Sequence, residues 1–308
     1  MDPLLSPLLR SWSWRPEVIL VLILTGTLYV VGWSRLRYPG QAQVAQSGQR
    51  PLPRLATGRR LAAYLSGLAL LGLALLSPID VLASQFFFVH MIQHLILVML
   101  APPLLLLASP FPFCLWGLPP PARSAVAGLF KPKSPFRRNL RYLTSPGLVW
   151  FLFVAVLIGW HDPNAYNAAL QWEWVHDLEH LTFFGTAVLF WWQVIRVGPR
   201  IHGRFPRGAR IAYLLVTVPI NMLTGVVISF NPKPIYTYYT TVPRLGTMTV
   251  MQDQMLGGII MWIPGSMMYI IAALILIAGF VQAEEDKEPP PESEWASENS
   301  TIAPGWRE

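Results

Sequence analysis

Cysteine is nearly absent from this chain: Cys114 stands alone among 308 residues. That excludes an internal disulfide framework and any cysteine-rich metal site. Charge is scarce as well. Only 13% of residues are Asp, Glu, Lys or Arg, against roughly 25% in soluble domains. No internal repeat is visible, so a solenoid or propeller is not expected. The opening stretch, MDPLLSPLLRSWSWRPE, lacks the basic start, short apolar run and small-residue cleavage site of a secretory signal. Trp12 and Trp14 within it suit an interfacial aromatic belt.

What is present is oil, and it is bunched. Hydrophobic residues make up 53% of the chain. A helix that crosses a bilayer needs roughly 20 mostly apolar residues. Seven segments qualify: 17–34, 61–77, 86–108, 143–160, 174–195, 209–230 and 250–281. The second and fourth are short, and the seventh is long and expected to break at Pro264-Gly265. The fold expected is all-α: a polytopic membrane protein with one seven-helix transmembrane domain over 1–283. The acidic, Pro-rich segment 284–308 is expected to be a disordered cytoplasmic tail.

The net charge of +7 is sorted along the chain. Segments 35–60, 109–142 and 196–210 and the tail hold 19 of the 23 Lys and Arg; the other four are Arg10, Arg15, Lys233 and Arg244. The positive-inside rule then puts the N-terminus outside and the C-terminus in the cytoplasm. A basic cytoplasmic face meets anionic lipid favourably, so the charge calls for no nucleic-acid partner.

Five of the six histidines fall on the opposite, outer side of that topology. His90 and His94 open the third segment, His161 closes the fourth, and His176 and His180 open the fifth; only His202 lies in a cytoplasmic loop. Both pairs are spaced by four, which puts each pair on one helix face. Ionisable groups at membrane depth are costly, and a neutral imidazole recovers that cost by binding metal. A single such histidine is as readily a structural hydrogen-bond partner. Two pairs plus His161 favour a metal site, with a metal-free proton relay or solute carrier as the competing reading. Glu173 and Glu179 are placed to hold an imidazole's second nitrogen.

Three further features bear on chemistry. Asp253, in VMQDQMLGGIIMWIPG, should face the bundle interior as ligand, base or structural hydrogen-bonder, with Gly257 one turn on admitting a close partner helix. Met248, Met251 and Met255 form a stripe whose thioethers would favour Cu(I), though such stripes are usually packing. The run HDLEH matches the H-x-x-E-H pattern of inverted zinc peptidases, which keeps a membrane metallohydrolase open as the enzyme alternative. Other features read as structural. Pro102-Pro103 bends the third segment. Asn221, Gly225 and Ser229 form a packing seam, and Trp191 and Trp192 act as inner-interface anchors.

Three runs, HMIQHLILVMLAPPLLLLASP (90–110), WHDPNAYNAALQWEWVHDLEHLTFFGTAVLFWW (160–192) and DQMLGGIIMWIPG (253–265), resemble the CtaG-type cytochrome c oxidase assembly factors. The resemblance covers roughly residues 15–282. It departs at Gln193, where a proline is expected in many relatives, far from the histidines. It implies a multi-pass protein of the bacterial inner membrane that helps build a caa-type haem–copper oxidase, most plausibly by supplying copper to the catalytic subunit. The motifs carried over are His90 with His94, His161, His176 with Glu179 and His180, and Asp253 with Gln254. On this reading His90, His94, His161, His176, His180 and Asp253 hold the metal. Glu173, Glu179, Gln254, Met251 and Met255 orient or tune it. Cu(I) is favoured, although imidazole also accepts zinc and iron. An extracytoplasmic donor protein would supply the ion. The role expected is binding and delivery, not catalysis.

Overall fold

A computed structural model describes residues 11–38, 55–199, 201–203, 205–243 and 246–285. Among these there are helices and no strand. The long helices are α1 (Pro16–Arg37), α2 (Gly58–Leu76), and then, after the short α3 (Pro78–Ala83), a three-part rod: α4 (Phe87–Leu95), a π turn (Ile96–Leu100) and α5 (Ala101–Leu107). The basic loop region folds as α6 (Pro110–Gly117), α7 (Pro120–Leu129) and α8 (Pro135–Leu143). Then come α9 (Pro146–Trp160), α10 (Pro163–Gln171), α11 (Glu173–Ile195), α12 (Arg207–Phe230), α13 (Tyr238–Thr241) and α14 (Val250–Glu285). Of the tail expected over 284–308, only Glu284 and Glu285 lie within the described residues, and they end α14.

Among the described residues, five helices are long and apolar enough to cross a membrane: α1, α2, the Phe87–Leu107 rod, α12 and α14. A sixth candidate is α8 with α9, bent by 54° where Pro146 interrupts the chain. The fifth expected crossing, α11, is a helix of 23 residues. His176, Asp177, Glu179 and His180 in its first turns make it less apolar than the rest. Apolar side chains such as Leu20, Ile23 and Leu24 of α1 and Leu274 and Ile275 of α14 face outward, as lipid contact requires.

The prolines behave differently from one another. Pro102 has no amide proton, so the Val98 carbonyl loses its helical partner, and the backbone widens into the π turn. Trp191 from α11 donates its indole N–H to that carbonyl at 2.9 Å. Trp191 is therefore buried in the core, not an interface anchor as its position near the helix end suggested. Pro264, by contrast, does not break α14, which runs unbroken through Val250–Glu285. Pro264 offers no amide proton to the Ile260 carbonyl, and the adjoining turn is held from a neighbouring helix. Asn221 of α12 donates to the next carbonyl along, that of Met261, at 2.9 Å and to Ser266 at 3.1 Å.

Two close approaches fix the frame around the centre. A Cβ on Gly258 would lie 2.7 Å from the Gly225 carbonyl oxygen and 2.3 Å from Ser229 Oγ, so α12 and α14 touch backbone to backbone. A Cβ on Gly257 would lie 2.3 Å from the Phe87 ring, which locks α14 onto the start of α4. The ends of the bundle are sorted too. At one end Ser13 donates to Asp80 at 2.9 Å, and Arg15 pairs with Asp177. At the other, Arg35 donates to the Trp116 carbonyl at 2.8 Å, Arg37 to that of Ala56 at 2.7 Å and Arg210 to that of Val194 at 2.8 Å.

Gly258→Ala should destabilise the bundle by about 1–3 kcal/mol, because backbone on the facing helix cannot yield. Gly279→Ala, with nothing within 4 Å of the added Cβ, should be neutral or stabilising by about 0.5–1 kcal/mol. Thermal unfolding in detergent checks both; equal effects would contradict the seam.

Candidate metal centre

Helices α4 and α11 lie side by side at the end of the bundle that carries Asp80 and Asp177. Their i,i+4 faces meet. His90 and His94 of α4 have ring centroids 4.3 Å apart, and His176 and His180 of α11 4.1 Å apart. Across the two helices, His90 lies 5.3 Å from His176 and His94 5.5 Å from His180. Between them comes Glu179. Its carboxylate lies 3.7 Å from His90 Nε2 and 3.6 Å from His94 Nε2. Both distances are too long for a hydrogen bond. His90 and Glu179 have no exposed surface, and His94 and His180 only 6% each.

Two trios have ligand atoms that all lie within 4.8 Å of one another: His90, His176 and His180, and His90, His94 and Glu179. His90 belongs to both. Among the described residues, eleven buried side-chain polar atoms have no protein hydrogen-bond partner, and eight of them are here or on the adjacent His161. They are both oxygens of Glu179, both ring nitrogens of His94 and of His180, and Nε2 of His90 and of His161. A buried polar atom left unpaired costs about 1–3 kcal/mol, and a charged one more. A neutral imidazole carries a proton on one ring nitrogen, so His94 and His180 each contribute one N–H and one lone pair to these eight. The donor set of imidazole nitrogen and one carboxylate fits copper, zinc or iron.

The tautomer of His90 follows from a one-way chain of hydrogen bonds. Tyr239 donates to the Ala83 carbonyl at 2.9 Å, which can only accept. The Tyr239 oxygen is then free to accept from Tyr166 at 3.2 Å, and Tyr166 from His90 Nδ1 at 2.8 Å. With the proton on Nδ1, the lone pair sits on Nε2, toward Glu179. His161 is fixed in the same way: Nδ1 donates to the Leu157 carbonyl at 2.7 Å, leaving Nε2 as acceptor. Its ring is 6.4 Å from that of His94, beside the cluster but in neither trio.

The remaining expected site residues have other work. Asp253 caps α4 from across the bundle: its two carboxylate oxygens accept from the backbone amides of Phe87 at 3.0 Å and Phe88 at 2.9 Å. This follows from the start of α4, where Phe86 offers no capping side chain. Asp253 thus positions the histidine helix and belongs to neither trio. Gln254 pins the chain after α12, accepting from the Ile235 amide at 2.7 Å and donating to the Ile228 and Lys233 carbonyls at 3.2 Å. Met255 points outward with 44% exposure, Met251 is half-buried, and Glu173 is exposed. Glu179, expected to orient an imidazole of its own helix, reaches across to α4 instead.

Sequence reasoning missed Tyr166 and Tyr239. The signal for Tyr166 was legible, since Asp162-Pro163 caps α10 by accepting from the Asn164 amide at 2.9 Å and sets the tyrosine one turn on. Gln93 donates to the Ala74 carbonyl at 2.8 Å and to Asp80 at 2.9 Å, tying α2, α3 and α4 together. At the rim, its hydrogen bond to Asp177 holds the Arg15 guanidinium above its usual range.

A helical membrane bundle with a buried imidazole–carboxylate cluster at one end is the class these features define. More narrowly, the chain belongs to the cytochrome c oxidase caa3 assembly factor family (Caa3_CtaG), whose sequence model matches residues 11–283. It is also similar to uncharacterized proteins of Mycobacterium bovis and Mycobacterium tuberculosis, each 25% identical over 292 residues, which is 92% of this chain and 41% of theirs. A Mycobacterium leprae protein is 25% identical over 284 residues, 89% of this chain and 40% of its own length. The chain thus spans about two-fifths of the length of these relatives. No solved structure matches it.

Asp253→Ala should lower stability by about 1–2 kcal/mol as α4 loses its cap, and Asp253→Asn, which keeps one acceptor, by less. Nitrogen NMR of histidine-labelled protein should show His90 protonated on Nδ1 alone, with the signal shifting in Tyr166→Phe. A proton on Nε2 instead would contradict the chain of hydrogen bonds.

Proposed function

We propose that this protein binds copper in the α4–α11 cluster and delivers it to the catalytic subunit of a caa3-type oxidase. Family membership supports an assembly role. The observation that carries the copper reading is Glu179, a carboxylate with no exposed surface, held 3.6–3.7 Å from two imidazole nitrogens. In a medium of low dielectric a buried charge must be compensated. Neutral imidazoles contribute no charge, so a monovalent cation makes the core of the site neutral, whereas a divalent one leaves an excess. That charge balance favours Cu(I) over zinc, although imidazole as a donor accepts both.

The topology proposed is seven crossings, with α11 as the fifth, the N-terminus outside and the C-terminus in the cytoplasm. Its supports are the basic residues at the end opposite the histidines and the positive-inside rule. The cluster then lies toward the extracytoplasmic face of a bacterial inner membrane, where a donor protein would present the ion. His176, the least buried of the four paired histidines, receives it first. His90, common to both trios, passes it inward to His94 and Glu179. Exchange among neutral imidazoles keeps the first steps shallow, which suits delivery better than permanent storage. A hydrolase would use Glu179 as a base on a metal-bound water beside His176 and His180. The carboxylate instead faces the His90–His94 pair, which favours the binding role.

Protein purified in detergent should carry copper, and His94→Ala with His180→Ala should lower its content by more than about tenfold. Restoring the double variant to a deletion strain should leave caa3 oxidase activity low, with partial rescue by added copper. Copper content unchanged in a folded double variant would contradict the proposal. So would loss of a hydrolytic activity in Glu179→Gln while metal stays bound.

A further inference from the structure

Directly beside the cluster lies a cavity of different chemistry. It holds about 40 Å³, where roughly 10–15 Å³ on the same measure admits a water molecule. Its walls include Met91, Met99 and Met261 together with His94, His161 and Tyr269. Met91 comes from α4, Met99 from the π turn, Met261 from α14 and His161 from the end of α9. Three of the polar atoms without a protein partner belong to these walls: His94 Nδ1, His161 Nε2 and Tyr269 Oη. His161 Nε2 carries a lone pair, because Nδ1 donates to the Leu157 carbonyl. His94 is shared, with Nε2 toward Glu179 and the ring against the cavity. The π turn is itself notable, since such turns are enriched at functional sites.

We propose that this cavity is a second metal station, selective for Cu(I), formed by His94, His161 and the thioethers of Met91, Met99 and Met261. It rests on the copper reading of the cluster and extends it. Thioethers are soft, neutral donors that favour Cu(I) and discriminate against zinc and iron. The station therefore acts as a filter that the imidazole–carboxylate cluster alone does not supply. Transfer into it is ligand exchange without redox change. A bond from the ion to a thioether sulfur forms and the bond to Glu179 breaks; one H+ taken up from the solvent beyond the rim replaces the departing cation on the carboxylate, so the core of the cluster stays neutral. Having no anionic ligand, the second station holds the ion less firmly and is the point of departure. The stripe of Met248, Met251 and Met255, read from the sequence as packing with Cu(I) capture as the alternative, takes no part in lining this cavity.

The test uses the full chain, selenomethionine-labelled, purified in detergent and loaded with Cu(I) under reducing conditions. X-ray absorption at the selenium and copper edges should show copper–selenium scattering in the wild type. Met91→Leu/Met99→Leu/Met261→Leu, which conserves side-chain volume, should lose it and retain copper–nitrogen scattering. Met255→Leu should retain both, and zinc loading should give no selenium neighbour. Copper bound with nitrogen neighbours alone in the wild type would overturn the second station and leave the cluster intact. Selenium neighbours for zinc would overturn the selectivity. Failure of the wild type to bind copper at all would overturn the copper reading and this inference together.

Discussion

Glu179 sets the terms for the rest of the molecule. A carboxylate inside a membrane bundle must be neutralised or matched by a cation. Its nearest polar neighbours are the Nε2 atoms of His90 and His94, and Nε2 of His90 carries a lone pair. Two electron-rich groups facing each other at that distance repel, and an ion between them converts the repulsion into bonding. The surrounding structure is arranged to keep them there. Tyr166 and Tyr239 hold the His90 ring in one tautomer, and Asp253 anchors the first turn of α4. Gly257 lets α14 press against Phe87 at that same turn. None of these groups belongs to either trio, yet together they fix where the His90 ring sits.

Helix irregularity is placed with equal economy. Pro102 opens the π turn, and Trp191 closes the resulting gap by bonding Val98. Pro264 offers no amide proton to the Ile260 carbonyl, and Asn221 bonds the next carbonyl along, that of Met261. One device draws on α11 and the other on α12. The backbone is thus free to deviate where Met99 lines the cavity beside His94, without leaving unpaired groups in lipid.

Much of this was legible in the sequence, and the reasons for the rest are physical. Apolar run lengths report helices directly, because lipid allows few other structures. The i,i+4 spacing of His90–His94 and His176–His180 fixes which residues share a face, since helical period does not depend on neighbours. What spacing cannot reveal is which face meets which. Asp253 looked like a ligand because a buried acid invites that reading, yet its partners are backbone amides 165 and 166 positions away. Met251 and Met255 lie on the α14 surface that turns from the site, while Met91, Met99 and Met261 converge only once α4 and α14 are packed. Pro264 misled for a similar reason: the bonds that hold its turn come from Asn221 on another helix.

The most direct measurement is thermal unfolding in detergent, with chelator and with Cu(I), for the wild type and Glu179→Met. If the cluster is built around a cation, copper at a hundredfold excess over its dissociation constant stabilises the wild type by about 2.7 kcal/mol. Glu179→Met, with the buried charge removed, should then be the more stable protein in chelator and respond little to copper. A wild type indifferent to copper, and a Glu179→Met variant that loses stability in chelator, would contradict the central role assigned to that carboxylate.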